Sequence, residues 1–412
     1  MTLASTAPDI AETAELYAAR LAQPERPPEA EPWAAQSLTT GAAGIALLHI
    51  ERAHAGLGTW RQAAHWIREA VARPANITDN TGLYLGAPAI SFMLNAAAAG
   101  DPGRYRGALA ALAGHVASIA HRRAAAAMDR IAAGKLPEFR EYDVFFGLTG
   151  IGALLLRWDP RGDAMERVLS YLVALSMPHR IDGQTLPGWW VGHDPHCRRS
   201  PAFPCGHGNF GMAHGIAGPL ALLSLATRRD ICVDGQREAI TTLLAWLDDW
   251  RQEGEAGPWW PEWISLSDLR RGWPSQPGPA RPSWCYGTPG LARAGQLAAL
   301  ALGDTQNQQS YERVLLRCLD DPAQLARITD GGLCHGWAGL YQTVWRAADD
   351  AATPILADHL PALADQLVRC TTFVPVSASG ILTGTAGAAL ALHTAASTAA
   401  PYSGWDACLL IC

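Results

Sequence analysis

Two cysteines and one histidine stand beside short glycine pairs and could together bind a metal ion. Cys285 lies two residues before the pair in GTPG, and Cys334 and His335 directly precede the next pair, in GWAG. Zinc favours a mixture of thiolate and imidazole ligands, and three protein ligands leave a fourth position open, which is typical of catalytic zinc. Free cysteines are also common in protein cores. The residue types favour a zinc site and leave buried core cysteines as the alternative.

Three further residues near glycine pairs have side chains suited to proton transfer or to charge stabilisation. His214, in MAHGIAG, could act as a general acid or base because imidazole titrates near neutral pH, or it could bond to loop backbone. Asp143, in YDVFFGLTG, could fix the tautomer of that imidazole or cap the following helix. Arg281, in RPSWCYGTPG, stays protonated and could stabilise a developing negative charge.

A second group of possible ligands occurs in the segment GHDPHCRRSPAFPCGHGN. It contains His193, His196, Cys197, Cys205 and His207. Their spacing is compact enough for a loop-stapling zinc but does not match the common structural zinc patterns. Exposed loop residues are the favoured interpretation.

A repeated sequence pattern predicts the secondary structure that carries these side chains. A glycine, two residues, a second glycine and an apolar run recur seven times, with Ala89 in place of the second glycine in one copy. Self-similarity of this kind indicates repeated supersecondary units. The first glycines of the seven copies are Gly41, Gly86, Gly147, Gly215, Gly287, Gly336 and Gly384.

The segments between the copies have the period of amphipathic helices. In QREAITTLLAWLDDWRQ, for example, the apolar residues repeat at helical spacing. The runs after each glycine pair lack a polar face, which predicts helices buried on all sides. We therefore predict an all-α fold, a closed α/α toroid of seven helical hairpins with an inner and an outer ring, in which each amphipathic outer helix is followed by its apolar inner helix. An open solenoid is the alternative, but it would leave the apolar helices exposed. In the toroid, the loops entering the inner helices converge at one end.

Two segments rich in proline, glycine and tryptophan do not fit the helical pattern. Residues 178–210 predict an inserted, non-helical subdomain with a short strand around Trp189, and residues 254–283 are a second candidate insertion. We predict a single toroid domain over residues 1–412, interrupted by this subdomain.

Composition limits the class of protein. The formal net charge is −6, which does not suggest a nucleic-acid partner, and a chain that is 49% hydrophobic and 17% charged is not disordered. The amino terminus carries acidic residues and has no apolar core, unlike a signal peptide. Residues 371–405 carry no charge, but their apolar part, 381–392, is too short to span a bilayer. We expect a cytoplasmic protein whose nine cysteines are reduced.

The motifs MAHGIAGPL, SWCYGTPG and LCHGWAGL, in this order, resemble those of the lanthionine synthetase C-like family. The resemblance covers essentially the whole chain and implies the seven-fold α/α toroid, with an inserted β-containing subdomain before MAHGIAG. It implies that Cys285, Cys334 and His335 bind one Zn²⁺. It also implies a catalytic site made by these residues: His214, Asp143, Arg281, Trp284 and Tyr286. The cluster around Cys197 and Cys205 is not part of the family pattern.

The resemblance further implies a stand-alone class I lanthipeptide cyclase. Its substrate would be a precursor peptide, with leader and core, already dehydrated at Ser or Thr by a separate dehydratase. A peptide Cys would add to dehydroalanine or dehydrobutyrine and form a thioether ring. Other expected partners are the dehydratase and a membrane export transporter, through which the protein could associate with a membrane. The alternatives are a non-catalytic thiol- or peptide-binding relative and another zinc enzyme on an α/α toroid, such as a prenyltransferase-like protein.

Overall fold

The structure is a computed structural model that describes residues 9–22, 33–181, 183–255, 257–373 and 379–412. The first eight residues of the amino terminus therefore lie outside the described residues. So do single positions in both candidate insertions and part of the uncharged stretch 371–405.

Helices account for most of the described chain. In chain order they are α1 (Ile10–Arg20), α2 (Ala42–His54), α3 (Trp60–Ala70), α4 (Ala87–Ala97), α5 (Arg106–Ala132), α6 (Phe139–Tyr142), α7 (Leu148–Trp158), α8 (Asp163–Ser176), α9 (Ala217–Thr227), α10 (Gln236–Asp249), α11 (Leu266–Arg271), α12 (Thr288–Leu302), α13 (Thr305–Leu319), α14 (Pro322–Leu325), α15 (Trp337–Asp349), α16 (Ile355–Asp358), α17 (Leu360–Phe373) and α18 (Thr385–Ser397). The strands are β1 (His179–Ile181), β2 (Gln184–Leu186), β3 (His207–Asn209) and β4 (Trp263–Ser265).

The apolar runs after the glycine pairs form the inner ring. In the part of the chain that the structure describes, these seven runs are α2, α4, α7, α9, α12, α15 and α18. Nearly all of their residues are buried; in α9 every residue from Ala217 to Ala226 is. Each of these helices packs on the next along the chain, and α18 packs on α2. The ring is therefore closed, as predicted, and the open-solenoid alternative is wrong.

The outer helices pair with the inner ones in an order that differs from the expected one. The sequence pattern suggested an amphipathic helix followed by its apolar partner. Instead, α2 packs mainly on α3, and α12 mainly on α13, so each inner helix pairs with the outer helix that follows it. The connections within these pairs are short, which favours contact between the two helices. The last inner helix, α18, packs on the first helix of the chain, α1.

The second glycine of each pair allows the inner helix to contact its own entry loop. A methyl group at Gly150 would overlap the carbonyl oxygen of Val144, and one at Gly339 would overlap that of Leu333. In the degenerate copy Ala89 replaces this glycine, and the first glycine, Gly86, has φ +75°. The same approach to the carbonyl six residues earlier occurs at Gly44, Gly218, Gly290 and Gly387. Each entry loop is thus held against the first turn of its helix.

The non-helical segments, as far as the structure describes them, contain two small antiparallel sheets. β1 pairs with β2, and β3 pairs with β4, so that the candidate insertions at 178–210 and 254–283 share one sheet. Trp189 lies in a turn rather than in the expected strand, and Val191 forms an isolated bridge with His207. The division into one toroid domain with an inserted subdomain stays a prediction. No helix among the described residues is long and apolar enough to cross a membrane.

The carboxy-terminal segment, residues 403–412, is buried against the inner helices. The carbonyl of Cys408 accepts from Tyr84 Oη at 2.8 Å, and the carbonyl of Leu409 accepts from Trp284 Nε1 at 2.9 Å. The side-chain carboxylate of Asp406, in this segment, is fully buried. This segment therefore supports the loops at the amino ends of the inner helices.

Candidate functional site

Hydrogen bonds between backbones join the entry loops of neighbouring repeats. The N–H of Val144 donates to the carbonyl of Ala213 at 3.1 Å, and that of Ala213 donates to Cys285 at 3.3 Å. Cys285 donates in turn to Cys334 at 3.2 Å, and Cys334 donates to Leu382 at 2.8 Å. Because four of these residues stand two positions before a first glycine, equivalent positions of successive repeats become neighbours. Cys285 and Cys334 are brought together in this way.

The predicted ligands form one compact group. Cys285, Cys334 and His335 each offer a ligand atom, and these atoms lie within 4.8 Å of one another. No other trio of His, Cys, Asp or Glu within the described ranges meets this criterion. Two sulfurs and one imidazole nitrogen at this separation fit zinc, since the donor types and the number match a three-ligand site.

The sulfur atoms of this group share a hydrogen bond that separates their pKa values. The thiol of Cys334 donates to Cys285, which lowers the pKa of Cys285 against the opposing effect of burial, with further help from His335 and Ser283. The same contact and burial raise the pKa of Cys334. Cys285 is therefore the sulfur that more readily becomes a thiolate, the form that binds metal.

His214 and Asp143 form an imidazole–carboxylate pair in which the carboxylate is buried and the imidazole is partly exposed. Asp143 Oδ2 accepts from His214 Nδ1 at 2.7 Å, and the aspartate is 1% exposed while the histidine is 33% exposed. Asp143 Oδ1 accepts from the backbone N–H groups of Phe146 and Gly147, each at 2.7 Å. The alternative in which Asp143 fixes the imidazole is therefore observed. Helix capping is not, because Gly147 is the N-cap of α7 and no side chain caps this helix; Oδ1 instead holds the loop that precedes it. With Nδ1 occupied, Nε2 is the ring nitrogen left for other partners.

Aromatic rings enclose the imidazole of His214. The rings of Phe139 and Phe145 lie nearly parallel to it, with centroids 5.6 and 5.0 Å away. The ring of Tyr286 lies 6.4 Å from it, and burial raises the pKa of this tyrosine. Phe139 and Phe145 were not among the site residues predicted from the sequence. Phe145 shares the register of Cys285 before its glycine pair, which is the signal that would have found it.

The other predicted site residues are distributed around the metal-ligand group. Arg281 is 37% exposed, and its Nη1 lies 3.7 Å from Asp330 Oδ2. Trp284 is fully buried, and its Nε1 donates to the carbonyl of Leu409, so its ring anchors the loop to the interior. Glu262, which sequence reasoning missed, is close enough to Cys285 and Arg281 to interact electrostatically, and burial raises its pKa.

The second candidate cluster, around Cys197 and Cys205, does not form a ligand group in the described structure. Both cysteines are exposed. His207 is buried in β3, and its Nδ1 bonds to the carbonyl of His193 at 2.7 Å. These histidines therefore serve loop structure and packing, and His193 and His207 both pack edge-on against Phe139.

The chain is thus a seven-hairpin α/α toroid that carries a Cys–Cys–His group and a His–Asp pair on adjoining entry loops. Residues 32–410 match the family described as lanthionine synthetase C-like protein, and the chain belongs to this family. The resemblance found in the sequence motifs is thereby confirmed.

Two known proteins are also similar to this chain. A solved structure of nisin cyclase superposes with a TM-score of 0.76 and 19% identity, over 98% of this chain and 96% of that chain, which confirms the fold. The nisin biosynthesis protein NisC of Lactococcus lactis subsp. lactis is 24% identical over 207 residues, which are 49% of this chain and 48% of that protein. The matched region thus spans about half the length of that curated relative.

Proposed function

We propose that this protein is a zinc-dependent lanthipeptide cyclase. The observation that carries the proposal is the Cys–Cys–His group, joined through hydrogen-bonded loops to the His214–Asp143 pair. Cys285, Cys334 and His335 would hold the zinc. When bound, zinc would stabilise a cysteine of the substrate peptide as a thiolate at neutral pH.

The residues of the chain then have separate tasks in the addition. The peptide sulfur forms a bond to the β-carbon of dehydroalanine or dehydrobutyrine, and the π electrons of that double bond move toward the neighbouring carbonyl. Protonated His214 gives a proton from Nε2 to the α-carbon and regains one from solvent, which takes up the proton that the peptide thiol loses, so that the elements of S–H are added overall. Asp143 orients the ring and stabilises its protonated form. Both reacting groups belong to one peptide, so the residues that hold it reduce the entropic cost of ring closure.

The remaining site residues support this reaction electrostatically and structurally. Arg281, half-exposed beside the ligand group, would stabilise the negative charge that develops on the carbonyl oxygen. The half-buried Tyr286 would line the site next to His214, and the fully buried Trp284 would hold the loop in place.

The wider assignments rest on the family and stay part of the proposal. The reaction makes the protein a lanthionine synthetase of the lyase class. Its substrate is a dehydrated precursor peptide, and a dehydratase and an export transporter are expected partners. Cytoplasmic location, and association with a membrane through such partners, are predictions from the sequence.

A thiol-counting assay tests the function. The probe is a synthetic peptide with one dehydroalanine and one cysteine, and the readout is the loss of alkylatable thiol without a change in peptide mass. We expect the purified protein to contain one zinc ion and to consume the thiol. Cys285→Ala should lose both properties, while Cys232→Ala, which changes an exposed cysteine outside the group, should lose neither. Full zinc content and full cyclisation in Cys285→Ala would refute the assignment, and zinc binding without thiol loss would indicate a binding protein.

A further inference from the structure

The carboxylate of Asp330 lies between two predicted site residues. Its Oδ2 is 3.6 Å from His335 Nε2 and 3.7 Å from Arg281 Nη1. Its other oxygen, Oδ1, accepts from the N–H of Gly332 at 2.8 Å, which fixes the carboxylate to its own loop. One oxygen thus interacts with two cationic or potentially cationic groups on adjacent entry loops.

The loop itself does not require a charge at this position. Asn209 occupies the equivalent place in the repeat that leads into α9. Its Oδ1 accepts from the N–H two residues later, on Gly211, at 3.0 Å, and its carbonyl accepts from Ile216 at 3.1 Å. Asp330 makes the same two bonds, to Gly332 and to Trp337, at 2.8 and 3.0 Å. An amide therefore builds this turn as well as a carboxylate does, so the charge of Asp330 must be explained by its neighbours.

We propose that Asp330 is a positioning residue that orients the imidazole of His335 for metal binding. Because Nε2 of His335 lies toward Asp330, Nδ1 is the nitrogen left for the metal. A carboxylate beside the second nitrogen of a ligating histidine fixes its tautomer and increases its basicity. The same carboxylate holds the guanidinium of Arg281 next to the ligand group. This inference rests on the proposed function, since it assumes that His335 is a ligand.

Metal affinity is the direct test. Asp330→Asn keeps the acceptor for Gly332 and removes the charge, and Asn209 indicates that the turn tolerates it. We expect zinc to bind on the order of 10- to 100-fold more weakly, measured by competition with a chromophoric chelator. The matched control is Asp320→Asn, which removes an aspartate 3.8 Å from His359 Nε2, outside the site. This control should bind zinc like the wild type.

A second variant is expected not to weaken zinc binding, in contrast to Asp330→Asn. Arg281→Gln removes the competing cation, so that Asp330 interacts with His335 alone, and zinc affinity should stay the same or rise even though cyclisation falls. If Asp330→Asn does not fold, the zinc affinity of Arg281→Gln decides the test. Weaker zinc binding in Arg281→Gln would contradict the proposal. Wild-type affinity in a folded Asp330→Asn also overturns it. If the wild-type protein itself binds no zinc, it is the proposed function that fails.

Discussion

At the scale of single residues, Asp143 connects local structure with the proposed chemistry. One oxygen binds two N–H groups of the loop before α7, and the other binds the imidazole of His214. The loop therefore holds the carboxylate in place independently of its contact with the histidine. The two nearly parallel rings of Phe139 and Phe145 restrict the imidazole further. A histidine held this firmly keeps Nε2 in a constant position, which proton transfer to one carbon atom requires.

Replacing Asp143 by asparagine isolates its charge. The amide oxygen can still accept from the loop, but the variant no longer stabilises a protonated His214. We expect cyclisation of the dehydroalanine peptide to slow by on the order of 10²- to 10⁴-fold. Zinc content should not change, because Asp143 is not a ligand. Asp163→Asn is the control, as it alters an exposed aspartate 3.4 Å from His121. Equal rates for Asp143→Asn and the wild type would exclude Asp143 from the reaction.

At the scale of elements, the entry loop and the first helical turn behave as one unit in each repeat. The second glycine lets the loop carbonyl contact the helix, and the backbone bonds between loops then join neighbouring units. A disturbance in one repeat should therefore displace ligands on its loop.

Gly339 and Gly114 offer a matched comparison. Alanine at Gly339 would overlap the carbonyl of Leu333, next to Cys334, so we expect a loss of about 1–3 kcal/mol in unfolding free energy and weaker zinc binding. Alanine at Gly114, in the outer helix α5, meets no atom within 4 Å and should stabilise by about 0.5–1 kcal/mol. Urea unfolding and chelator competition measure both. A neutral Gly339→Ala would show that the contact is dispensable.

The sheet of β3 and β4 should give the protein acid sensitivity. Burial lowers the pKa of His207 from 6.5 to about 4. Between these two pH values the unfolded chain takes up a proton on this histidine that the folded protein does not. The folded protein therefore has its full stability above pH 6.5 and loses stability as the pH falls toward 4. For a two-state transition, the unfolding free energy of the wild type should fall by about 2 kcal/mol more than that of His207→Gln between pH 6.5 and 5. Identical pH profiles for the variant and the wild type would contradict this prediction.

At the scale of the whole molecule, both ends of the described chain complete the toroid. The first helix, α1, covers the last inner helix, α18, and the carboxy-terminal segment packs against the inner helices. Its Asp406 accepts from Arg346 Nε and from Gln342 Nε2, each at 2.7 Å. The burial of this carboxylate requires these partners, because an unpaired charge in the interior is costly.

Removing one partner of this buried pair should destabilise the whole ring. Asp406→Ala leaves Arg346 without its carboxylate, and we expect a loss of about 3–5 kcal/mol. Asp79→Ala breaks a pair with Arg122 that is 2.8 Å long but exposed, and it should cost less than about 1 kcal/mol. Thermal and urea unfolding of both variants provide the comparison. Similar losses in the two would mean that the segment does not stabilise the ring.

Local signals in the sequence were enough to predict the inner ring and the ligand group. Glycine pairs and apolar runs are local signals, so they predicted seven buried helices and the convergence of Cys285, Cys334 and His335. The pairing of His214 with Asp143 was also predictable, as one of two alternatives, because both residues precede glycine pairs.

The contacts between side chains across the closed ring became known only from the folded chain. The carboxylate of Asp330 between Arg281 and His335, the rings of Phe139 and Phe145 on His214, and the pairing of α1 with α18 join segments far apart in the chain. Such contacts depend on how the repeats close on one another, which no local pattern records. For the same reason, the cysteines and histidines of the segment around Cys197 could not be distinguished from ligands until the burial and hydrogen bonds of His207 were known.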